Sequence, residues 1–561
     1  MEHKENSTII TAGSENLMQR FPWNLPAKWF VTLTIVFILV VTSLPYVYGY
    51  LSGPADKQYM GIMLDVPDHA QYFSWMRELS QANLASNKMT PEPNRAIFFN
   101  LLWWGMGRLS VLLGVGYPFM FQVLRFLAVV LFLPLAYWTC GFFLKEPLQQ
   151  RIAFGVISFT SGFGWVLVLI KYLTRSDLPF PLDVYIAEGN TFLGILGYPH
   201  FIAAALYIFV FGLVLIGQEK KQQRYAVYAG LAALFLGWQH TYDLVSVYAV
   251  LGAYAFLLLL RDRKLPIFLI VSCLIVGLLS CSPAIYSVLL TSLDPIWKAV
   301  LKQFANAGVY TPNLLHLPIL LGLPLILAVL AVILDNPFKL KGVGDRDLFL
   351  RGWFLITFVV IYLPVDYQIH LLNGWQVPIA ILAVSGLFRY VLPFLARKLP
   401  VRNTLWFQGW MVGLLFVLIL PTNLYLWAWR FLDLSRHDAP YYLYVDEIKA
   451  MDWLSDQKQP DAVVLSSLTI GQYIPAMSGT HAYLAHWAQT LDFYTKSKNV
   501  DTFYSAKTTD QQRNEILTQG KVDYVFLGPS EKEMGMTSGS MMDSLQLVYS
   551  NNLVTIYQVE R

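Results

Sequence analysis

Apolar residues form long runs along the first three quarters of the chain, and polar segments separate these runs. An α-helix needs about 20 mostly apolar residues to cross a bilayer, and eleven runs approach or reach this length. They begin near Phe30, Tyr117, Ile152, Leu196, Tyr225, Leu244, Pro266, Leu314, Phe349, Gln376 and Leu405. Tyr225–Gln239 is short, and Ala96–Gly114, which Arg108 interrupts, predicts a helix at the membrane interface. The pattern predicts a polytopic α-helical membrane protein with about 11 transmembrane helices.

Three segments, 51–116, 174–195 and 433–561, are too long to be simple connectors. The last of them is water-soluble in composition and alternates helix and strand patterns. Helical periodicity covers Tyr442–Ser455 and Thr509–Gln519, and strand patterns cover Ala462–Ser467, Ala482–Ala485, Val522–Leu527, Leu545–Tyr549 and Leu553–Val559. We therefore expect a small α/β domain at the C-terminus.

Composition agrees with a membrane protein and excludes several other classes. The 561 residues are 56% hydrophobic and only 14% charged, whereas soluble domains carry about 25% charged residues. The net charge of +4 is small and the basic residues are scattered, which gives no nucleic-acid-binding surface. The three cysteines lie in apolar runs and match no metal or disulfide pattern. Nucleotide-binding, HExxH and serine-nucleophile motifs are absent from the sequence, so a reaction outside needs an energised donor already in the membrane.

The positions of Lys and Arg predict the orientation in the membrane. With the N-terminus inside, the inner segments hold 19 of these residues, and the short outer loops with their helix ends hold four. This asymmetry predicts a C-terminus outside. We expect a cytoplasmic tail over 1–28, a transmembrane region over 29–432 with a long outer loop over 51–116, and an extracytoplasmic domain over 433–561. The first apolar run lacks a cleavage site and is expected to be a retained anchor.

Ionisable side chains near a membrane are costly, which makes them candidates for function. Eight of the nine histidines fall on the predicted outer side. The densest cluster lies in the first outer loop, where Pro67 can begin a helix and Asp68 follows in its first turn. On that helix Asp68 and Tyr72 share one face. The alternative is that Asp68 only stabilises the helix N-terminus.

Further candidates lie near the predicted outer ends of other runs. Glu188 is either a site residue or part of a turn, and His200 is either a ligand-binding or a structural residue. His240 and Asp243 are three residues apart and can face one way, where they need a wet or protein-lined environment. His370 follows the ninth run. Lys298 and Lys302, on the amphipathic stretch Leu293–Asn306, either face a lipid phosphate or snorkel from an ordinary interfacial helix.

This layout resembles the GT-C glycosyltransferases, which include protein O-mannosyltransferases, aminoarabinose transferases and oligosaccharyltransferases. The resemblance rests on the long first outer loop with the motif Asp68-His69-Ala70-Gln71-Tyr72, and on the outward tail. Within the tail, Gly471–Ala476 and Val522–Val525 are similar to bacterial members. The resemblance implies transfer of a sugar from a polyprenyl-phosphate donor to a glycan, lipid or protein acceptor. The transfer would take place on the outer face of a bacterial plasma membrane, usually with inversion.

Residue roles follow from the same resemblance. Asp68 would be the general base that takes the proton of the acceptor hydroxyl. Lys298 or His370 would neutralise the departing phosphate. The substrate-binding residues would be Asp65, His69, Tyr72, Glu188, His200, His240, Asp243, Lys298 and His370. The motif departs from the adjacent acidic pair of some relatives, which leaves Asp65 as an alternative base. We expect no metal cofactor; the alternative is Mg²⁺ or Mn²⁺ held by Asp68 and Glu188.

Two other functions remain open on the sequence. A polymerase or ligase of lipid-linked polysaccharide would share the cavity, although a greater basic density at its outer mouth would be expected. A lipid or solute transporter with an outer receptor domain would spread polar residues across the middle of its helices. The ionisable residues of this chain gather at one face instead.

Overall fold

The structure, a computed structural model, describes residues 25–304, 310–401, 403–536 and 545–560. The predicted cytoplasmic tail 1–28 therefore lies almost wholly outside the described residues. The chain divides into two compact units. Unit 1 comprises Met1–Ser43, Leu124–Ala284 and Tyr310–Trp429, and unit 2 comprises Leu44–Val123, Ile285–Val309 and Arg430–Arg561.

Helices dominate the described part of the chain. The first twelve are α1 (Ala27–Ser52), α2 (Val66–Gln81), α3 (Leu101–Leu113), α4 (Tyr117–Phe143), α5 (Pro147–Phe159), α6 (Gly164–Thr174), α7 (Thr191–Gly197), α8 (Pro199–Ala204), α9 (Ile208–Lys220), α10 (Arg224–Gln239), α11 (Asp243–Asp262) and α12 (Ile267–Leu293). The others are α13 (Pro295–Gln303), α14 (Leu317–Leu334), α15 (Asp345–Val360), α16 (Gln376–Gly386), α17 (Leu392–Lys398), α18 (Thr404–Ile419), α19 (Pro421–Ser435), α20 (Val445–Asp456), α21 (Leu468–Ser478), α22 (Phe493–Tyr504), α23 (Asp510–Gln519) and α24 (Pro529–Glu533).

All eleven apolar runs predicted from the sequence coincide with helices. Within the described ranges, seven helices are long and apolar enough to cross a membrane when Pro199–Lys220, which joins α8 and α9, and Gln376–Lys398, which joins α16 and α17, are each counted as one. The number rises to nine when each of two bent helix pairs is also counted as one span. The bent pairs are α5 with α6 and α18 with α19. The other two predicted runs correspond to α10 and α15, which have only 16 residues each. How many of the eleven helices cross the bilayer therefore stays a prediction.

Unit 2 contains two β-sheets. The strands are β1 (Lys57–Tyr59), β2 (Tyr442–Tyr444), β3 (Val463–Leu465), β4 (His481–Ala482), β5 (Tyr524–Leu527), β6 (Leu545–Ser550) and β7 (Thr555–Val559). β1 pairs with β2, and the other five form a sheet in the order β4-β3-β5-β7-β6. Its first three strands are parallel, and β5, β7 and β6 are antiparallel neighbours. The predicted strands and terminal hairpin of the tail are thus present as local elements.

The tail differs from the prediction at its first element. Helical periodicity predicts a helix over Tyr442–Ser455, but Tyr442–Tyr444 is a strand and the helix α20 begins at Val445. The three residues pair antiparallel with Lys57–Tyr59, which lies far away in the sequence. Pairing with a distant strand overrides local periodicity, because backbone hydrogen bonds in a sheet depend on tertiary neighbours.

The helix α2, which carries Asp68, crosses α3 at a very short backbone distance. A Cβ atom on Gly107 would lie 2.2 Å from the carbonyl oxygen of Met76. Because that oxygen belongs to the backbone of α2, it cannot turn away as a side chain would. Only glycine therefore permits this approach of the two helices.

We expect Gly107→Ala to destabilise the protein by about 1–3 kcal/mol, because α2 and α3 must move apart. The measurement is thermal unfolding of the full chain in detergent. Gly105→Ala is the matched control on the same helix, since a Cβ at Gly105 meets no atom within 4 Å. The control should gain helix propensity and melt no lower than wild type. Equal melting temperatures for the two variants would contradict the prediction.

Two buried carboxyl groups lie close together in the tail. Glu447 accepts a hydrogen bond from the backbone N–H of Tyr444 at 2.9 Å, and Glu531 accepts from the N–H groups of Ser467 at 2.7 Å and Gly528 at 2.9 Å. Burial raises the pKa of Glu447 to about 7, and the charge of Glu531 contributes to the rise. Burial also raises the pKa of Glu531. The folded protein therefore holds a proton here more tightly than the unfolded chain does.

We expect Glu447→Gln to stabilise the protein near neutral pH. A raised folded-state pKa means that the contribution of this group to stability is largest below the ordinary value of 4.5 and is lost as the pH rises toward about 7. The variant should gain on the order of 2 kcal/mol relative to wild type between pH 4.5 and 7.5. Thermal unfolding at several pH values tests this, with the exposed Glu533→Gln as control. A difference between Glu447→Gln and wild type that does not change with pH would refute the expectation.

Candidate active site

The first cluster of candidate residues lies at the N-terminus of α2 in unit 2. Pro67 stands in the first turn of the helix, and Asp68 follows it as predicted. The N-cap residue Asp65 has a left-handed backbone with φ of 43°, and its side chain makes no capping hydrogen bond. The carboxylate of Asp68 is about a quarter exposed, at 27%. The helix therefore presents Asp68 at its positive end, where an ionised carboxylate is favoured.

Asp68 has two ring-bearing partners in unit 2. The Nε2 atom of His486 lies 2.8 Å from Oδ1 of Asp68. The hydroxyl of Tyr72 donates to Oδ2 at 3.4 Å, which agrees with the predicted i, i+4 relation. Tyr72 in turn stacks on Trp103, with ring centroids 4.5 Å apart. His486 is not among the site residues predicted from the sequence. The only sequence feature that pointed to it is its position on the predicted outer side.

Other candidates of unit 2 have structural contacts. His69 is buried, and its Nδ1–H donates to the backbone carbonyl of Asp65 at 2.8 Å. Its ring also packs edge-on against Phe121. Lys298 is exposed on α13, whereas the neighbouring Trp297 is buried and stacks on Phe98 at 4.8 Å. Lys298 thus lies on the exposed face of an amphipathic helix. The end of the predicted amphipathic stretch, residues 305–306, lies outside the described residues.

The second cluster lies in unit 1 and contains two carboxylate–imidazole pairs. Glu188 is buried, and its Oε1 is hydrogen-bonded to Nδ1 of His370. Asp243 is fully buried, and its Oδ2 lies 3.0 Å from Nδ1 of His240. The same oxygen accepts a hydrogen bond from the amide of Asn373 at 3.1 Å. Glu188 does lie in a turn, in which the N–H of Asn190 donates to the carbonyl of Ala187 at 3.0 Å. Its side chain also contacts His370, a residue 182 positions away.

Aromatic packing brings these pairs together. The ring of Phe201 lies 4.2 Å from that of His200, 5.6 Å from that of His240 and 5.8 Å from that of His370. Tyr242 stacks on His370 with ring centroids 5.7 Å apart. The structure thus places five sequence-predicted residues in one cluster. They are Glu188, His200, His240, Asp243 and His370.

The metal alternative concerns the carboxylates of Asp68 and Glu188. Throughout the described ranges, no group of three or more His, Cys, Asp and Glu side chains is arranged to hold a metal ion. Asp68 belongs to unit 2 and Glu188 to unit 1, and each has an imidazole partner of its own. Metal binding by this pair stays a prediction.

The geometry of Asp68 suits proton transfer. A general base must be ionised, partly accessible and held within hydrogen-bond reach of the proton that it removes. Asp68 is oriented by an imidazole and a phenol, and it retains 27% exposure. The arrangement can therefore bind a hydroxyl group and take its proton.

The long apolar helices of the described residues make the chain an integral membrane protein. Its likeness to the following solved structures shows that it has the GT-C fold. Among solved structures, it is similar to the oligosaccharyltransferase AglB from Archaeoglobus fulgidus, with 13% identity, 89% of this chain and 70% of that chain covered, and a TM-score of 0.52. It is also similar to the arabinofuranosyltransferase AftD from Mycobacteria, with 15% identity, 96% and 40% covered, and a TM-score of 0.53. No family model and no curated protein sequence matches the chain. The predicted resemblance is thus confirmed for the fold.

Proposed function

We propose that the protein is a glycosyltransferase that moves a sugar from a polyprenyl-phosphate-linked donor to an acceptor on the outer face of a bacterial plasma membrane. The observation that carries the proposal is the partly exposed Asp68 carboxylate, which a buried imidazole orients at a helix N-terminus in a GT-C fold. The similar AglB structure contains an inhibitory peptide and a dolichol-phosphate. A lipid-linked donor and a separate acceptor are in keeping with that complex.

In the proposed reaction, Asp68 takes the proton of an acceptor hydroxyl as its oxygen attacks the anomeric carbon of the donor. The bond between that carbon and the phosphate oxygen breaks, and the lipid phosphate leaves with the electron pair. The configuration at the anomeric carbon inverts, because attack and departure occur on opposite faces. The acceptor is a glycan, a lipid or a protein that offers such a hydroxyl.

The remaining residues bind the substrates in this proposal. The unit 1 cluster around Phe201 offers carboxylate and imidazole groups that bind sugar hydroxyls. The acceptor is bound by Asp65, His69 and Tyr72. Because Nδ1 of His370 is already bonded to Glu188, the exposed ammonium of Lys298 is the stronger candidate for the departing phosphate. The reaction proceeds without a metal; Mg²⁺ or Mn²⁺ at Asp68 and Glu188 is the alternative.

The orientation is part of the same proposal. The N-terminus is cytoplasmic and residues 433–561 are extracytoplasmic, since 19 basic residues fall on the inner segments and four on the short outer loops with their helix ends. In this orientation, the residues of both clusters lie on the outer side of the membrane. Cysteine labelling of single exposed positions in 433–561, from either side of sealed vesicles, measures this orientation.

Sugar transfer in proteoliposomes tests the function. The purified protein is supplied with a panel of radiolabelled polyprenyl-phosphate sugars and with hydroxyl-bearing acceptors, and protein-free liposomes serve as control. We expect a labelled glycosidic product and release of the lipid monophosphate. Movement of an intact lipid or solute without product would replace this proposal with transport. Consumption of only pyrophosphate-linked glycans would replace it with a polymerase or ligase.

A further inference from the structure

His486 lies in a tight segment that follows strand β4. The Oγ1 atom of Thr490 accepts hydrogen bonds from the backbone N–H groups of Ala485 at 3.0 Å and His486 at 3.1 Å, and it donates to the carbonyl of Met89 at 2.5 Å. His486 itself is only 2% exposed. Its backbone and its ring are therefore held by contacts inside unit 2, and the ring has one orientation.

The hydrogen bonds of the ring determine which nitrogen carries the proton. Nδ1 of His486 accepts hydrogen bonds from the backbone N–H groups of Ala488 at 2.9 Å and Gln489 at 3.3 Å. An acceptor nitrogen carries no proton, so the proton of the neutral imidazole is on Nε2. Nε2–H then donates to Oδ1 of Asp68 at 2.8 Å. A doubly protonated ring would direct an N–H toward two other N–H groups.

We propose that His486 is a positioning residue for Asp68, and this inference rests on the proposed function. The Nε2–H bond to Oδ1 holds the carboxylate in one orientation. His486 cannot be the base itself, since Nε2 is protonated and Nδ1 is occupied by backbone donors. Proton acceptance is thereby directed to Oδ2, the oxygen that the hydroxyl of Tyr72 contacts at 3.4 Å.

The proposal assigns a catalytic contribution to the tail. His486 lies 418 residues after Asp68, in the α/β part of unit 2. If the base of the reaction stands in the first loop, the group that orients it comes from the other end of the chain. The tail would then complete the active site in addition to any role in acceptor binding.

Two variants separate the donated hydrogen bond from the volume of the ring. His486→Phe keeps an aromatic ring but removes the Nε2–H group, whereas His486→Gln keeps an N–H donor near the same position. We expect His486→Phe to lower kcat for sugar transfer by about 10- to 10²-fold, because a misplaced base loses near-attack geometry. The KM for the lipid donor should stay within about twofold, and His486→Gln should restore most of the rate.

The matched control is His481→Gln, which alters another buried imidazole of the tail. His481 bonds to the carbonyl of Thr90 and to Lys88 and has no part in the proposed site. Its kcat should equal that of wild type. The proposal is wrong if folded His486→Phe retains the wild-type kcat, or if His486→Phe and His486→Gln lose the same fraction of it.

A second measurement does not depend on activity. Nuclear magnetic resonance of the full chain, labelled with ¹⁵N-histidine, reports which ring nitrogen of His486 carries the proton, and His486→Gln assigns the signal. We expect a protonated Nε2 and an unprotonated Nδ1, with a shift of the Nε2 signal in Asp68→Ala. A proton on Nδ1 would overturn the positioning role. If the spectrum is as expected but no donor is consumed, the contact stands and the proposed function fails.

Discussion

Asp68→Asn is expected to lower the rate of sugar transfer by about 10²-fold or more, with the protein still folded. Asparagine has the shape of aspartate, and its carbonyl oxygen can still accept the hydrogen bond from Nε2 of His486. The variant cannot accept a proton, because an amide is not a base at neutral pH. The loss should therefore appear in kcat at saturating donor in proteoliposomes, and the melting temperature should change little.

Asp65→Asn is the informative comparison for this experiment. Asp65 stands three residues before Asp68 and has a left-handed backbone, which asparagine also tolerates. If Asp68 is the base, Asp65→Asn should keep kcat within a few fold of wild type, and any loss should appear in the KM for the acceptor. Full activity of Asp68→Asn would reduce Asp68 to an anion that stabilises the N-terminus of α2. The role of base would then pass to Asp65, or to Glu188 in unit 1.

Asp243→Ala is expected to produce the largest loss of stability in unit 1. The Oδ2 atom of Asp243 is the acceptor for both His240 and Asn373, and the side chain of Asp243 is fully buried. Its removal leaves two donors without this acceptor in a nearly dry site. Each such donor costs about 1–3 kcal/mol, so we expect a loss of roughly 2–4 kcal/mol. Thermal unfolding in detergent, with the yield of monodisperse protein, measures the effect.

Asp243→Asn provides the matched control. Its carbonyl oxygen can take the place of Oδ2 and accept both hydrogen bonds, while its amide replaces Oδ1, which has no hydrogen-bond partner in the described structure. We expect this variant to lose less stability than Asp243→Ala, because both donors keep an acceptor and only the new amide, at a cost of about 1–3 kcal/mol, is left without one. If Asp243→Ala and Asp243→Asn were equally destabilised, the negative charge and not the acceptor geometry would hold this cluster together.

Local features of the structure could be predicted from the sequence. The apolar runs coincide with helices because the length of a run and its periodicity are properties of neighbouring residues. Asp68 and Tyr72 contact each other as predicted, since residues at i and i+4 are neighbours on any α-helix. The hairpin of β6 and β7 is likewise formed by residues close together in the chain.

Contacts between residues that lie far apart in the sequence could not be predicted. The imidazole of His486 reaches Asp68 across 418 positions, and His370 reaches Glu188 across 182. No local pattern selects one of nine histidines for a given carboxylate, because the choice depends on how the elements pack. The same reason explains Asn373, whose contact with Asp243 spans 130 positions, and His69, whose helical position gave no sign of its burial.

The pairing of β1 with β2 has a consequence for the time course of synthesis. Lys57 pairs with Tyr444, so β1 leaves the ribosome about 390 residues before its partner strand. At about 5–20 residues per second, this interval lasts roughly 20–80 s. During that time the backbone of β1 lacks the strand that covers it in the finished protein, and unpaired strand edges are prone to wrong pairing. The pairing of β1 with β2 can therefore form only after residue 444 has been made, and a chain truncated before residue 442 would expose this edge permanently.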